Sequence, residues 1–285
     1  EFRRVLFRSL VIGNGNLGKR CAEAWPEAIL SDKKIASVQD VEDLLDMYKP
    51  DSVLNAAGVV GKPNVDWCET HQLETVAGNT VLPIMIAEAC QKKGVYLLHM
   101  GTGCIFYGYS TEPNGWKEDY FPNPLAVYTR TKYAADLALS TLPNVGIARI
   151  RMPIDCRPSP ANLIDKLVSF PRVIDVINSI TIVEDMILVF KQLLEKQASG
   201  IFHVTNPGAI KHKEILEMYQ EIVDPNHMVT EWISAQELVA SGLAKKTRSN
   251  TILQSGNLEK LGIIMRPIHE ALRDTLQKYA QSKKD

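Results

Sequence analysis

The sequence predicts an α/β fold: a doubly wound parallel sheet with a smaller C-terminal lobe. Three observations predict it. The apolar run Leu10-Val11-Ile12 leads directly into Gly13-Asn14-Gly15-Asn16-Leu17-Gly18, the spacing by which a strand-turn-helix unit receives a dinucleotide pyrophosphate. Uninterrupted apolar runs then alternate with helical periodicity as far as Ile150, as buried parallel strands between helices require. Beyond Pro153 the character changes: Pro158, Pro160 and Pro171 follow closely, and helix-like segments dominate. The first part is therefore expected to be of Rossmann type, spanning 10–153 and completed by roughly 173–206. The second lobe takes 154–172 and 207–285, and is expected to form the other wall of a cleft.

The elements follow in order. In the glycine turn, Gly13 permits the tight bend, Gly15 admits phosphates to the backbone, and Gly18 lets the next helix pack close. That helix, 19–25, is stopped by Pro26, and 28–30 is a short second strand. Val41, Leu44, Leu45 and Tyr48 mark an amphipathic helix over 41–48. A strand over 52–58 ends on small residues. Helix 80–93, strand 95–100, helix 128–142 and strand 146–150 continue the alternation. A returning strand over 201–206 closes on Pro207-Gly208, and 211–222, 234–241 and 267–282 read as helices.

Composition narrows the function. The 285 residues are 45% hydrophobic, enough to fill the core of one large α/β domain or of a domain with a lobe. A net charge of -1 gives no electrostatic reason to expect nucleic acid or an anionic membrane. No run reaches the ~18 apolar residues of a membrane span. Cys21, Cys68, Cys90, Cys104 and Cys156 are odd in number, widely spaced and without a C-x-x-C pair. Free thiols in a reducing compartment are expected, and no metal site. The expected address is the cytoplasm. Residues 1–9 (EFRRVLFRS) place Arg3, Arg4 and Arg8 where a buried strand should be apolar. They resemble a translated sequencing adapter, and are expected to be a non-native segment ahead of a strand that naturally begins upstream of Leu10.

Tyr128 and Lys132 lie four apart on one face of a helix. A phenol is a poor acid-base group near neutral pH unless a cation favours its phenolate, and a lysine one turn away supplies one. Tyr279 and Lys283 repeat the spacing near the C-terminus, away from any sheet edge. Thr102 and Cys104 sit where the strand over 95–100 gives out, the edge at which ligands of open α/β sheets gather. In extended chain their side chains would point the same way. A threonine hydroxyl there can hold a carbonyl oxygen. Cys104 is either reactive or a small core residue.

The glycine turn, Asn55-Ala56-Ala57-Gly58, Thr102 and the Tyr128/Lys132 pair together resemble the extended short-chain dehydrogenase/reductases. More narrowly, the chain is similar to the dTDP-4-dehydrorhamnose reductase branch and its plant bifunctional nucleotide-rhamnose synthases. The segments that carry this are NAAGVVGKPNVDWCETH (55–71), GTGCIFY (101–107), RIRMPI (149–154), VTNPG (204–208), EILEMY (214–219) and RSN (248–250). The resemblance implies that a nucleotide-linked 4-keto-6-deoxy-glucose, UDP or dTDP, is epimerised at C3 and C5 and reduced at C4. Tyr128 would protonate O4, Lys132 would tune the tyrosine and hold the nicotinamide ribose, and Thr102 would orient the carbonyl. Cys104 and Lys166 would be the acid-base pair of epimerisation.

The same resemblance implies cofactor contacts from Gly13, Asn14, Gly15, Asn16, Leu17, Gly18, Asn55, Ala56, Ala57 and Gly58. Asn79 would brace the active-site helix. Lys62, Asn64, Gly103, Asn162 and Arg248 would meet the nucleotide sugar. Asp32 sits where an acid would take the ribose hydroxyl of NAD(H), while Lys33 and Lys34 suit the 2′-phosphate of NADP(H). The lysines and the family habit favour NADP(H), with NAD(H) the alternative. A 4,6-dehydratase is implied as functional partner, and the chain could pair as a homodimer. Two other readings stay open: a non-catalytic dinucleotide-binding subunit resembling that of methionine adenosyltransferase, and a 4-reductase without epimerase activity.

Overall fold

The computed structural model describes residues 7–229 and 231–283. The elements run β1 (Ser9–Ile12), α1 (Asn16–Ala24), β2 (Ala28–Ser31), α2 (Val38–Tyr48), β3 (Ser52–Asn55), α3 (Gln72–Val76), α4 (Leu82–Lys93), β4 (Tyr96–Thr102), α5 (Val127–Leu139) and β5 (Val145–Ile150). After these come α6 (Leu163–Ser169), β6 (Arg172–Ile174), β7 (Ile177–Asn178), α7 (Val183–Lys196), β8 (Gly200–Val204), β9 (Ile210–Lys211), α8 (His212–Ile222), β10 (Glu231–Ile233), α9 (Ala235–Ala240), α10 (Gly256–Lys260) and α11 (Ile268–Ser282).

The main sheet has six strands in the order β2-β1-β3-β4-β5-β8. β1 lies parallel to both β2 and β3, and β3 parallel to β4. Strand order therefore reverses at β1, and the crevice beyond the C-terminal ends of β1 and β3 is the ligand position of such sheets. The expected doubly wound α/β architecture is the one found. β1 begins at Ser9, which is buried and pairs with Ala28 and Ser52. The boundary drawn after residue 9 is corrected by that pairing; residues 1–6 lie outside the described residues.

Two compact units divide the chain. The first comprises Glu1–Thr102, Ala126–Ala148 and Ile187–Phe202; the second comprises Gly103–Leu125, Arg149–Met186 and His203–Asp285. The first unit packs α2, α4 and α5 on the sheet through Val41, Leu45, Ile86, Cys90, Leu97 and Leu139. Its helices are cut by local chemistry: Ser37 and Asp40 form a capping box on α2, and Gly94 ends α4 in the left-handed conformation. Such a cap contributes about 1 kcal/mol. The second unit packs α6, α8 and α11 around Ile154, Ile164, Ile180, Ile215, Leu272 and Leu276.

Segment 103–125 belongs to the second unit, not to the first as expected. Its backbone decides this. Trp116 N donates to Ile252 O (2.8 Å) and Trp116 O accepts from Gln254 N (2.9 Å). Tyr279, half of the repeated tyrosine-lysine spacing, is buried in the second unit and donates to Asp165 Oδ1 (2.8 Å). No cysteine is disulfide-bonded. Among the described residues no helix is long and apolar enough to cross a membrane, and no histidine, cysteine or carboxylate cluster could hold a metal ion.

Candidate active site

In the first unit, the glycine turn links β1 to α1 at the sheet's reversal point. Gly13 has φ +116°, and a Cβ there would lie 2.4 Å from Ala57 N. A Cβ on Gly18 would lie 2.0 Å from Gly13 O, whereas one on Gly15 would meet nothing within 4 Å. So Gly13 and Gly18 are glycine for close packing, and Gly15, the N-cap of α1, faces open space. The helix starts at Asn16, earlier than expected, so Asn16, Leu17 and Gly18 form its first turn. Their N–H groups have no partner within the helix and offer an anion a positively polarised end. Room beside Gly15 and that helix end together fit a pyrophosphate.

The 55–58 strip runs beside this turn. Asn55 is buried: its Oδ1 accepts from Ala57 N (3.0 Å) and its Nδ2 faces His99 Nδ1 (3.0 Å). The side chain shapes the turn from below, so any contact to a dinucleotide would come from the backbone of 55–58. Asn79 sits in a π-helical turn at Ala77–Val81. Its Oδ1 accepts from Val59 N (2.8 Å), and its Nδ2 donates to Val59 O (2.9 Å) and Thr131 Oγ1 (3.3 Å). One buried amide thus ties the 55–59 strip to α5.

α5 carries the tyrosine and lysine. Tyr128 is half-buried in its first turn. Lys132 is buried one turn on, donating to Met100 O (2.7 Å) with His99 Nε2 at 3.1 Å. Burial pulls the Lys132 pKa down to about 8, with Asp136 opposing. Burial, and then Lys132, hold His99 well below the ordinary imidazole range. The N-cap of α5 is Ala126, which has no capping side chain; Glu69 Oε1 instead accepts from Val127 N (2.8 Å). Lys62 is exposed, and Asn64 caps a 3-10 turn at Val65–Thr70 by accepting from Asp66 N (2.8 Å). Lys33 is engaged by Asp40 (3.0 Å), and Asp32, Lys33 and Lys34 are all exposed.

Thr102 is the buried last residue of β4, whereas Cys104 lies in a 3-10 turn over Gly103–Ile105. The expectation that both side chains project alike along extended chain is corrected by that turn. Gly103 is packed tight, since a Cβ there would sit 2.3 Å from Leu253 Cδ1. In the second unit, Arg151 Nη1 donates to Cys104 Sγ at 3.0 Å. Arg151 Nη2 donates to Asn178 Oδ1 and to Ser249 O. Ser249 Oγ in turn donates to Phe106 O (2.5 Å). Three segments of the resemblance, 101–107, 149–154 and 248–250, therefore meet at one guanidinium, and Arg248 adjoins it in sequence.

Lys166 is half-buried on α6, and burial lowers its pKa. Asn162 does not offer its side chain to a ligand. Its Oδ1 accepts from Asp155 N and Ile164 N, and its Nδ2 donates to Asp155 O and Arg157 O. All four hydrogen-bonding positions of the amide are occupied within the loop and helix cap. Arg151, His99 and Glu69 escaped the sequence reading. Each acts through another residue, and spacing alone does not show such partners.

The RmlD substrate-binding domain family matches residues 26–281. The chain belongs to this family. It is 36% identical over 218 residues to a bifunctional dTDP-4-dehydrorhamnose 3,5-epimerase/dTDP-4-dehydrorhamnose reductase of Arabidopsis thaliana, covering 74% of this chain and 72% of that one. It is 31% identical over 277 residues to a trifunctional UDP-glucose 4,6-dehydratase/UDP-4-keto-6-deoxy-D-glucose 3,5-epimerase/UDP-4-keto-L-rhamnose-reductase of the same plant. That alignment covers 93% of this chain and 40% of the relative, so the RmlD-type chain spans less than half of that protein. The crystal structure of a UDP-rhamnose synthase from Acanthamoeba polyphaga mimivirus superposes with a TM-score of 0.88 at 29% identity, covering 95% of this chain and 99% of that one. A dTDP-4-dehydrorhamnose reductase from Bacillus anthracis, solved with NADP, shares the fold: TM-score 0.77 at 21% identity, covering 95% and 97%.

Proposed function

We propose that this chain is an NAD(P)H-dependent 3,5-epimerase/4-reductase acting on a UDP- or dTDP-linked 4-keto-6-deoxy-glucose, with nucleotide-L-rhamnose as product. One observation carries it: the chain holds a tyrosine-lysine pair on α5 and also a cysteine seated on a buried guanidinium. The first set suffices for reduction. The second is superfluous to a reductase and is what inversion at carbon requires. The 36% identity to a plant epimerase/reductase supports the combination.

In this reading the 4-ketone acidifies the hydrogens on C3 and C5. Cys104 and Lys166 exchange those protons on opposite faces, one removing and one returning. Arg151 fixes where the sulfur points. Thr102 holds the carbonyl oxygen, and Tyr128 gives its proton to O4 as the alcohol forms. Gly13, Gly15, the first turn of α1 and the 55–58 backbone would hold the dinucleotide, which supplies hydride when bound. Arg248, beside the Ser249 carbonyl that Arg151 holds, would meet the nucleotide diphosphate. A 4,6-dehydratase must supply the substrate, and the cytoplasm is the setting we propose.

The test is to supply UDP- and dTDP-4-keto-6-deoxy-glucose with NADPH or NADH, following absorbance loss and the sugar product. Nucleotide-L-rhamnose is expected with at least one pair. No reduced cofactor consumed with either nucleotide sinks the reading. Reduction without inversion leaves a 4-reductase alone.

A further inference from the structure

Helix α5 carries Tyr128 in its first turn, where helices fray, and Lys132 one turn deeper. The two are held differently. Lys132 is buried and donates to Met100 O (2.7 Å) on β4. The first turn lacks a capping side chain of its own: the N-cap is Ala126, and no acidic residue lies in the turn. Its N–H groups have no partner inside the helix. The hydroxyls nearby serve carbonyls instead, Thr129 Oγ1 donating to Ala126 O (2.9 Å) and Thr131 Oγ1 to Tyr128 O (2.9 Å). A residue 58 positions earlier supplies what the local sequence omits: Glu69 Oε1 accepts from Val127 N at 2.8 Å.

Glu69 is itself held from both sides. It lies in the 3-10 turn at Val65–Thr70, which fully buried Cys68 anchors and Asn64 caps by accepting from Asp66 N (2.8 Å). Trp67 stacks on His71 with ring centroids 3.8 Å apart and planes 9° from parallel, and His71 Nδ1 lies 3.0 Å from Trp67 O. Gln72 Nε2 donates to Glu69 O (2.6 Å), and Thr75 Oγ1 to His71 O (2.7 Å). A carboxylate on so constrained a backbone delivers its oxygen to one place. The bond it makes is charge-assisted, and it sets a negative charge against the positive end of the helix.

We propose that Glu69 is a positioning residue for Tyr128: it caps α5 from outside and so fixes the phenol relative to Lys132. The catalytic consequence rests on the reading of Tyr128 as proton donor; the cap does not. Lys132 stays where β4 holds it whether or not the first turn is formed. Loss of the cap therefore moves one member of the pair and not the other. A displacement of about 1 Å at a reacting group costs on the order of 10²-fold in rate. The cofactor and sugar contacts come from other residues and keep their affinity.

Three variants of the full-length chain test this. Glu69→Ala removes the acceptor, Glu69→Gln keeps an oxygen at the same reach without the charge, and Glu69→Asp keeps the charge but draws it back by one methylene. Amide exchange at Val127, read by 1H–15N NMR, should speed up about tenfold or more in Ala and Asp and less than about threefold in Gln. With UDP- or dTDP-4-keto-6-deoxy-glucose and NADPH, kcat for reduction should fall about tenfold or more in Ala and Asp and stay within about threefold in Gln. KM for the sugar and affinity for NADPH should hold throughout. Unchanged exchange at Val127 in Glu69→Ala overturns the cap. Faster exchange with kcat unmoved makes Glu69 structural only and overturns its role toward Tyr128. Gln no better than Ala shows that charge and not the bond matters, and overturns the proposal too. A parent that reduces neither sugar sinks the proposed function alone, and the exchange rates still decide the cap. If Glu69→Ala does not fold, the contrast between Gln and Asp carries both readouts.

Discussion

Arg151 Nη1 lies 3.0 Å from Cys104 Sγ, and the guanidinium's other arm is held by Asn178 Oδ1 and Ser249 O. At 1% exposure this cation is fixed on three sides, and the sulfur inherits a fixed position. In the epimerase reading, Arg151→Met should slow solvent-deuterium uptake at a ring carbon at least tenfold, measured by mass spectrometry in D2O, with NADPH affinity unchanged. Arg151→Lys should fall between, since an ammonium lacks the planar fork. Unslowed exchange in Arg151→Met would falsify the positioning role. Removing the fork also takes the guanidinium donor from Ser249 O and leaves Asn178 Oδ1 with Thr251 N alone, at a cost of about 1–3 kcal/mol, readable as a lower Tm.

Tyr128→Phe removes the proposed proton donor without disturbing the helix. Cofactor oxidation in the presence of keto-sugar should drop about 10²–10⁴-fold, the usual worth of a positioned acid. NADPH titrated by fluorescence should still bind within a few-fold of the parent. Retained turnover would return the protonation to another group.

The glycines should separate by what surrounds them. Gly15→Ala adds a methyl to open space and should leave Tm unchanged, yet weaken NADPH binding at least tenfold if phosphates enter that space as proposed. Gly18→Ala drives a Cβ to 2.0 Å from Gly13 O and should lower Tm as well. Equal effects of the two substitutions on Tm would show that the turn is not built as described.

Acid should unfold the protein early. Burial pulls His203 down to about 3 and His212 to about 4. A histidine whose folded pKa is depressed binds its proton more readily when unfolded. Its contribution is therefore present above about 6.5 and lost as pH falls from there toward the folded values. Each group gives up about 2 kcal/mol by pH 5. Tm should fall steeply between pH 6.5 and 5 in differential scanning calorimetry, and His212→Gln should flatten the slope. A flat profile there argues that both imidazoles find water or an acid.

The strand-helix alternation of the first unit was visible in residues 10–150 because it rests on local signals: uninterrupted apolar runs, Pro26 stopping α1, Gly94 ending α4. Placement of 103–125 with the second unit was not visible. It depends on Trp116 pairing with residues near 252, and no local pattern records a partner more than a hundred residues away. The site divides in the same way. Tyr128 and Lys132 announce themselves by helical spacing. Asn162 was misjudged because an asparagine reads alike whether its amide faces a ligand or a helix cap. Arg151 was invisible because a buried guanidinium is recognised by what it holds.

The chain passes between its two units five times, after residues 102, 125, 148, 186 and 202. Neither half exists as one stretch of polypeptide. Exchange of one unit for a foreign one by shuffling gene fragments would have to match all five joints, since no single cut separates them. Any change in either unit is made within a scaffold whose halves are inherited together.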